Sequence, residues 1–435
     1  MFRQERLRST SRYTLGLISL LVIATWKCGT PFFWRDDWLF LIRFMERDLG
    51  FLFESHAGHF LPLFKFVYLV QLYLLGVNVE FFHLVGLMLY ALICASFLLF
   101  LRSVIDDTSL ALFFAVLLAL HPVNFIVLLW LFQIDILLLL FFQISAMRIA
   151  LRDGGQNGFL VLLLLVAQAL SFGNGHLFPL AVSAGLLLLH GSRSSARHMA
   201  ALACLLSLIL LCGQYFLMRK FGTVEINSLL AGWARYPAGL LSFVSLTLTR
   251  AALVPDSMVS KGVARIVAVA LFSLGILFSL KDRSLARRLA LALVWLFTTS
   301  AIVPFARADS AEAVYYYNTL SVIPGILYIA LLAAECYRRL ALGLGPGQIR
   351  MGSIGAMTLL LAVALFDQRL VDIFERRNAR NQQAFAAAMT SGEPYRPFDD
   401  PVFAGGSGLQ IAPEEAVKAY RYWAKHAVLP DLNRY

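Results

Sequence analysis

The chain has 435 residues, of which 60% are hydrophobic and 14% are charged, and its mean hydropathy is +0.74. A soluble domain does not carry this much apolar surface, so the composition predicts an all-α polytopic membrane protein. The net charge of +11 comes from basic residues spread over short loops and the tail, without a basic face or an aromatic RNA-binding motif. This distribution argues against a nucleic-acid partner.

The N-terminus carries four arginines ahead of an almost wholly apolar stretch, Leu15–Thr25. Since no small-x-small cleavage site follows, we expect a signal anchor with a cytoplasmic N-terminus rather than a removed signal peptide. Residues 30–79 then form a long first outer segment, which begins with the acidic pair Asp36 and Asp37. A charged side chain in hydrocarbon costs about 3 kcal/mol or more, so this pair is expected at or beyond the membrane interface.

The apolar stretch Phe60–Leu75 is shorter than the roughly 20 residues that span a bilayer, and it contains Lys65 and Gln71. If it lies along the outer interface, every short arginine-bearing loop falls on the cytoplasmic side, as the positive-inside bias requires. The same count of alternating sides requires that Gly239–Val254 does not cross the membrane, so residues 219–261 are predicted to form a second outer segment. The N-terminal anchor and the spans listed next give a bundle of about 11 transmembrane helices with outer interfacial helices. These spans cover approximately residues 80–101, 109–121, 135–150, 158–172, 177–190, 199–218, 262–280, 288–304, 315–335 and 352–368.

Two regions follow from this topology. Residues 1–368 are predicted to form one transmembrane domain, and residues 369–435 an external C-terminal tail. The protein is expected to be a multi-pass protein of a bacterial inner membrane, with membrane lipids around it, a cytoplasmic N-terminus and a periplasmic or external C-terminus.

The outer face of this predicted bundle collects the polar residues that interrupt apolar segments. They are Asp36, Asp37, His56, His59, His121, Asn124, Asp135, Asn174, His176, Lys261, Arg307 and Tyr316. Asp135 is the most informative, because it lies in the apolar run Leu128–Phe142, where a carboxylate needs a partner or a water-filled cavity. His121 before Pro122 could equally be a helix stop, and Asn174-Gly175-His176 a simple turn. The histidines lack the spacing of a zinc site.

Carboxylates, cations and an apolar slot at an outer membrane face suit the transfer of a sugar from a polyprenyl phosphate. The lipid phosphate is a good leaving group, so the reaction needs a carboxylate base for an acceptor hydroxyl and positive charge for the phosphate. The acceptor, whether protein, lipid or glycan, is left open. Lys261 and Arg307 are expected to bind the phosphate, with His56 or His59 as a third contact. A divalent cation, Mg²⁺ or Mn²⁺, held by Asp36 and Asp37 stays open as an alternative.

Adjacent residues on a helix point about 100° apart, so the two carboxylates of the pair cannot serve one proton equally. We assign Asp36 as the reacting residue, and Asp37 as the cap of a helix expected to begin at Trp38. Two other functions stay open at this point. One is a polymerase or ligase of O-antigen that uses the same lipid, and the other is a non-enzymatic transporter of lipid-linked glycans.

Three short stretches accompany the acidic pair: Gly58–Leu63 with Leu75–Leu84, Leu120–Asn124 through Trp130 and Asp135, and Val314–Tyr317. Together they resemble the C-type (GT-C) membrane glycosyltransferases, above all the protein O-mannosyltransferases and their transmembrane, TPR-containing relatives. The resemblance implies a bundle of about 11 or more spans with its active site on the outer face. It also implies a catalytic or metal-contacting role for Asp36 or Asp37, and a second site aspartate at Asp135. The chain departs from that family at Gln133, where an arginine is usual, and it lacks the TPR array.

Overall fold

A computed structural model describes residues 33, 36–47, 49–56, 59–220, 226–254, 259–301, 303, 311–343, 369–391 and 413–426. These residues form fifteen α-helices, three short 3-10 helices and one two-stranded hairpin. Five of the helices are long and apolar enough to cross a membrane, and four shorter ones are also apolar. The all-helical membrane class is therefore supported, while the total of about 11 spans stays a prediction. The predicted anchor at Leu15–Thr25 and the span at 352–368 lie outside the described residues.

The first outer segment folds into several short elements. Helix α1 (Asp36–Met45) leads through a 3-10 turn (Leu49–Phe53) to a hairpin, β1 (Ser55–His56) and β2 (His59–Phe60). Helix α2 (Pro62–Leu75) follows, with proline in its first turn, where a missing N–H is tolerated. Gly76, at φ +61°, ends α2, and its N–H reaches the carbonyl of Leu72.

The remaining helices alternate with short connections. They are α3 (Val79–Val104), α4 (Thr108–Ala119), α5 (Pro122–Leu129), α6 (Ile134–Asp153), α7 (Gly158–Ser171), α8 (Phe178–His190), α9 (Ser194–Lys220), α10 (Ile226–Ala251), α11 (Lys261–Ser279), α12 (Arg283–Ser300), α13 (Ala311–Gly343), α14 (Arg369–Ser391) and α15 (Pro413–His426). Side-chain caps begin several of them: Asn78 accepts the N–H of Phe81, and Asp107 that of Leu110. Helices are therefore confirmed at each predicted span that falls in the described residues.

One end of the bundle collects the short loops that carry arginine. Arg288 donates to the carbonyl of Val104 over 2.7 Å, and the Arg338 guanidinium lies 3.6 Å from the Asp282 carboxylate. The loops after α6 and α8 meet at the same end, where Ser195 bonds to the Gly154 carbonyl over 3.0 Å. We call this region the charged end. The parity argument predicted this grouping of loops, and the cytoplasmic location of this end stays a prediction.

The tail helices pack on the first outer segment at the opposite end. The indole N–H of Trp423 on α15 donates to the Leu41 carbonyl on α1 over 2.9 Å. The ring of Phe385 on α14 lies 5.2 Å from that of Trp38, centroid to centroid. The described parts of the tail are therefore helices that cover α1.

Helix α10 differs in length from the expected interfacial helix at 239–254. It begins at residue 226, and its last two turns are buried against α13, where Thr247 donates to Asn318 over 2.7 Å. Thr249 near its end reaches the Ala264 carbonyl in the first turn of α11 over 3.4 Å. The end of α10 and the start of α11 thus lie side by side, and the location of residues 219–261 on the outer face stays a prediction.

Candidate functional site

Asp37 is the buried carboxylate of the first outer segment. Its side chain has no exposure to solvent, and its Oδ1 accepts a hydrogen bond of 2.9 Å from the Tyr68 hydroxyl on α2. The predicted cap at this position is wrong in detail, because α1 begins at Asp36 rather than at Trp38 and Asp37 lies inside the first turn. An acid in a first turn is still favoured by the positive end of the helix dipole. The side chain of Asp36 lies outside the described residues.

An aromatic cluster holds α1 in place. The ring of Phe40 lies 5.1 Å from Phe132, 5.3 Å from His56 and 5.4 Å from Tyr68. These contacts join α1, α2, the hairpin and the turn that precedes α6. We call Asp37, Phe40, His56, Tyr68 and Phe132 the outer cluster. It gathers side chains from four separate stretches of the chain.

Asp135 lies beside this cluster in sequence, three residues after Phe132. The span predicted at 135–150 is found as α6, and a 3-10 turn at Leu131–Gln133 interrupts the apolar run Leu128–Phe142 just before this helix begins. Asp135 is therefore in the first turn of α6, where its Oδ1 accepts the N–H of Ile136 over 2.6 Å. A helix start supplies free N–H groups and a positive dipole end, which explains how a fully buried carboxylate is accommodated there.

His59 and His176 converge on Gly173, in the 3-10 turn between α7 and α8. The His59 ring lies 4.9 Å from the Phe172 ring, and a side chain at position 173 would overlap it. His176 bonds through Nδ1 to the Gly173 carbonyl, and burial lowers the pKa of His176, so the neutral ring is favoured. Asn174 is in the same turn, with its side chain outside the described residues.

His121 and Asn124 join helices deep in the bundle. The Nε2 of His121 hydrogen-bonds to the Arg250 carbonyl at the end of α10 over 3.0 Å. The amide of Asn124 donates to the Tyr90 hydroxyl over 2.8 Å and to the Leu118 carbonyl over 2.9 Å. Both side chains are buried, and their hydrogen bonds connect α3, α4, α5 and α10. Substrate binding by either residue stays a prediction.

The predicted phosphate ligands are described only in part. Lys261 is the first residue of α11 and is exposed, behind the N-cap Ser260, whose hydroxyl accepts the N–H of Val263 over 3.2 Å. A cation at a helix start gains nothing from the dipole, so helix stability does not account for this lysine. Arg307 lies outside the described residues, and Tyr316 is in α13 with its side chain undescribed.

The sequence indicated only that Lys65 argues against a membrane span at Phe60–Leu75, and it did not indicate the structural role of this side chain. The side chain is fully buried, and its Nζ donates to the carbonyls of Phe51 (2.6 Å) and Glu54 (2.9 Å). The same nitrogen lies 3.9 Å from the centre of the Phe51 ring. Lys65 therefore holds the loop before the hairpin against α2. A lysine inside an apolar helix was the available signal, and its partner carbonyls could not be read from the sequence.

The sequence left a divalent cation at Asp36 and Asp37 as an alternative. Among the side chains that the structure describes, no group of three or more His, Cys, Asp or Glu is arranged to hold a metal ion. The predicted pair of ligands includes Asp36, so the question of a divalent cation stays open. In the comparisons with known proteins, no family model, no curated protein and no solved structure matches this chain.

Proposed function

We propose that the protein is a glycosyltransferase of the C-type membrane class. It moves a sugar from a polyprenyl-phosphate donor to a hydroxyl acceptor at the outer face of the membrane. The observation that carries this proposal is the buried bond between Asp37 and Tyr68, inside an outer cluster that also contains His56 and the turn leading to Asp135. A buried carboxylate is costly, and this one belongs to a cluster in which four segments of the chain meet.

The proposal divides the acidic pair into two roles. The carboxylate of Asp37 accepts a hydrogen bond from Tyr68 and anchors α1, so Asp36 is assigned as the base. Asp36 takes the proton of the acceptor hydroxyl while that oxygen forms its bond to the anomeric carbon. The bond from this carbon to the phosphate oxygen breaks, and its electron pair leaves with the lipid phosphate. Asp135 supplies a second carboxylate, which orients the sugar.

The departing phosphate needs positive charge. Lys261 offers an exposed ammonium group next to the free N–H groups of a helix start, an arrangement that suits an anion. Arg307, in the connection before α13, is proposed as its partner. Losing one such charge-assisted contact would weaken donor binding by about 1.5–3 kcal/mol.

The decisive experiment incubates the purified protein with a panel of radiolabelled polyprenyl-phosphate sugars. At least one donor should lose its label to an acceptor or to water, and the double variant Asp36→Asn, Asp37→Asn should abolish this loss. The variant Glu414→Gln, Glu415→Gln is the matched control, because it removes two neighbouring carboxylates from the exposed start of α15. If no donor is consumed, or if the Asp36, Asp37 double variant remains fully active, the protein is not this enzyme.

A further inference from the structure

A cavity opens at the charged end of the bundle, at the end opposite the outer cluster. Its volume is about 510 Å³, and its walls come from the end of α3, the start of α4, the start of α12 and the last third of α13. This volume falls in the range of roughly 300–1,000 Å³ that is usual for small-molecule sites. Nothing in the proposed transfer reaction uses this cavity.

The charged groups of the cavity do not cancel. Four acids line it, Asp106, Asp107, Asp282 and Glu335, against two arginines, Arg288 and Arg338. Glu335 is almost fully buried and is bonded to Arg338 over 2.8 Å, so this pair is internally balanced. Asp106, in contrast, is exposed and makes no hydrogen bond or ion pair with the described residues. The remaining capacity on this side of the cavity is for a cation.

Arg288 adds a charge of the opposite sign to the lining of the cavity. Its Nη1 bonds to the Val104 carbonyl over 2.7 Å, and its Nη2 lies 3.3 Å from the Ser284 hydroxyl. Its Nε is buried and has no hydrogen-bond partner in the part of the chain that the structure describes. The guanidinium as a whole lines the cavity and keeps its positive charge, and a phosphate oxygen is a suitable acceptor for it.

The rest of the lining is apolar. Leu110, Leu285, Leu331 and Ala334 contribute apolar side chains to the lining. The cavity also lies where α3 ends, α12 begins and α13 approaches its end, which is the level of the headgroups if these helices cross the membrane. A ligand for this cavity combines an ammonium group, a phosphate and an apolar body.

We propose that the cavity binds the headgroup of a phospholipid with a primary ammonium, of the phosphatidylethanolamine class. The ammonium group donates to the carboxylates of Asp106 and Asp107, and the phosphate accepts from the guanidinium of Arg288, which lines the cavity. The acyl chains leave past the leucines into the bilayer. The site is independent of the proposed glycosyl transfer. It selects against anionic headgroups, which Asp106 and Asp107 repel, and against a bulky trimethylammonium group without N–H donors.

The test measures lipid retention by the purified full-length chain. The protein is equilibrated with equal amounts of phosphatidylethanolamine, phosphatidylcholine and phosphatidylglycerol and is analysed by native mass spectrometry. A photoactivatable phosphatidylethanolamine then maps the contact. We expect phosphatidylethanolamine to be retained at least about tenfold over the other two lipids, which corresponds to about 1.4 kcal/mol. Crosslinks should fall on peptides 104–110 and 282–288.

Two variants locate the effect. Asp106→Asn with Asp107→Asn removes both charges but keeps a side-chain cap for α4, because asparagine caps as well as aspartate. It should lower retention about tenfold, while Glu414→Gln with Glu415→Gln should not change it. Ala334→Phe, which fills the cavity without changing its charge, should also lower retention. Equal retention of the three lipids by the parent, a preference for the anionic lipid, or unchanged retention in Ala334→Phe would each overturn the proposal.

Discussion

Individual side chains in the first outer segment carry charges that the membrane and the core would otherwise exclude. Asp37 and Lys65 are both fully buried, so each bears the full free-energy cost of removing a charged group from water. Each is compensated by named partners, Tyr68 for the carboxylate and two loop carbonyls for the ammonium group. A buried charged group costs free energy when it loses its partner. Substitution of a partner should therefore destabilise the fold more than substitution of a residue without such a bond.

The acidic pair provides a test at this scale. Under the proposed reaction, Asp36→Asn should lower transfer by roughly 10²–10⁴-fold with near-normal folding, because it removes a positioned base. Asp37→Asn keeps an acceptor for Tyr68 and should cost about 1 kcal/mol of stability with a much smaller loss of activity. Transfer rates and thermal unfolding in detergent measure the two effects. A larger activity loss in Asp37→Asn than in Asp36→Asn would reverse the assignment.

Lys65→Met retains the apolar stem but removes the ammonium group. The carbonyls of Phe51 and Glu54 then lose their shared donor, so unfolding should become easier by about 1–3 kcal/mol. Limited proteolysis between residues 49 and 56 should accelerate as well. Lys261→Met is the control, because Lys261 is exposed and makes no such bonds, and it should leave both measurements unchanged. Equal cleavage rates in the parent and Lys65→Met would contradict this role.

Several helices of the bundle begin at side-chain caps that lie in the loops between them. Asp282 is the clearest example, since its Oδ1 accepts the N–H groups of Ser284 (2.8 Å) and Leu285 (3.1 Å) at the start of α12. These backbone N–H groups, Leu285 first, hold the pKa of Asp282 below its ordinary value of 3.8. The carboxylate thus stabilises α12 while it is ionised.

The consequence for stability has a definite sign. A lowered pKa in the folded state means that the contribution of Asp282 is present above the ordinary pKa and is lost as the pH falls through the lowered one. The melting temperature of the parent should therefore fall more steeply than that of Asp282→Asn when the pH is lowered from about 5 to about 3. Asp282→Ala should lose about 1 kcal/mol even at pH 7, since it removes the cap altogether. Parallel melting curves for the parent and Asp282→Asn would contradict this.

At the scale of the whole molecule, polar loops are sorted to two ends. The charged end contains the loops after α3, α6, α8 and α11, while the other end contains the first outer segment and the packed tail helices. Helix α15 of the tail packs on α1, the helix that begins with the acidic pair. The tail and the first outer segment must therefore lie on the same side of any membrane that the bundle spans.

Reporter fusions test this arrangement directly. Fusions after Arg102, Arg152, Arg197, Arg288 and Arg350 should all report the cytoplasm, because the positive-inside bias places arginine-bearing loops there. A fusion after Asp400 should report the outside. External reporters after Arg152 and Arg197 would show that the stretch at 60–75 crosses the membrane and that the parity is wrong.

The sequence alone determined most of the helices and their alternation between two ends. A span is a local property, since about 20 apolar residues must satisfy their backbone hydrogen bonds within one helix, and arginine position adds the order of the loops. For this reason the helix predicted at 80–101 is found at 79–104, and that predicted at 158–172 at 158–171. The acidic pair and Asp135 also stood out locally, because charge is rare in apolar surroundings.

Only the tertiary structure decided what those charges contact. The partner of Asp37 lies 31 residues further along the chain, and that of Trp423 lies 382 residues away, so no local pattern indicates either. The helix break at Leu131–Gln133 contains no proline or glycine, and the sequence stays apolar on both sides of it, so no local signal predicts it. It forms where Phe132 packs into the aromatic cluster of α1 and α2, and it places Asp135 in the first turn of a new helix although hydropathy shows no break there. Contacts between distant segments, rather than the preference of any one segment, set the geometry of the candidate site.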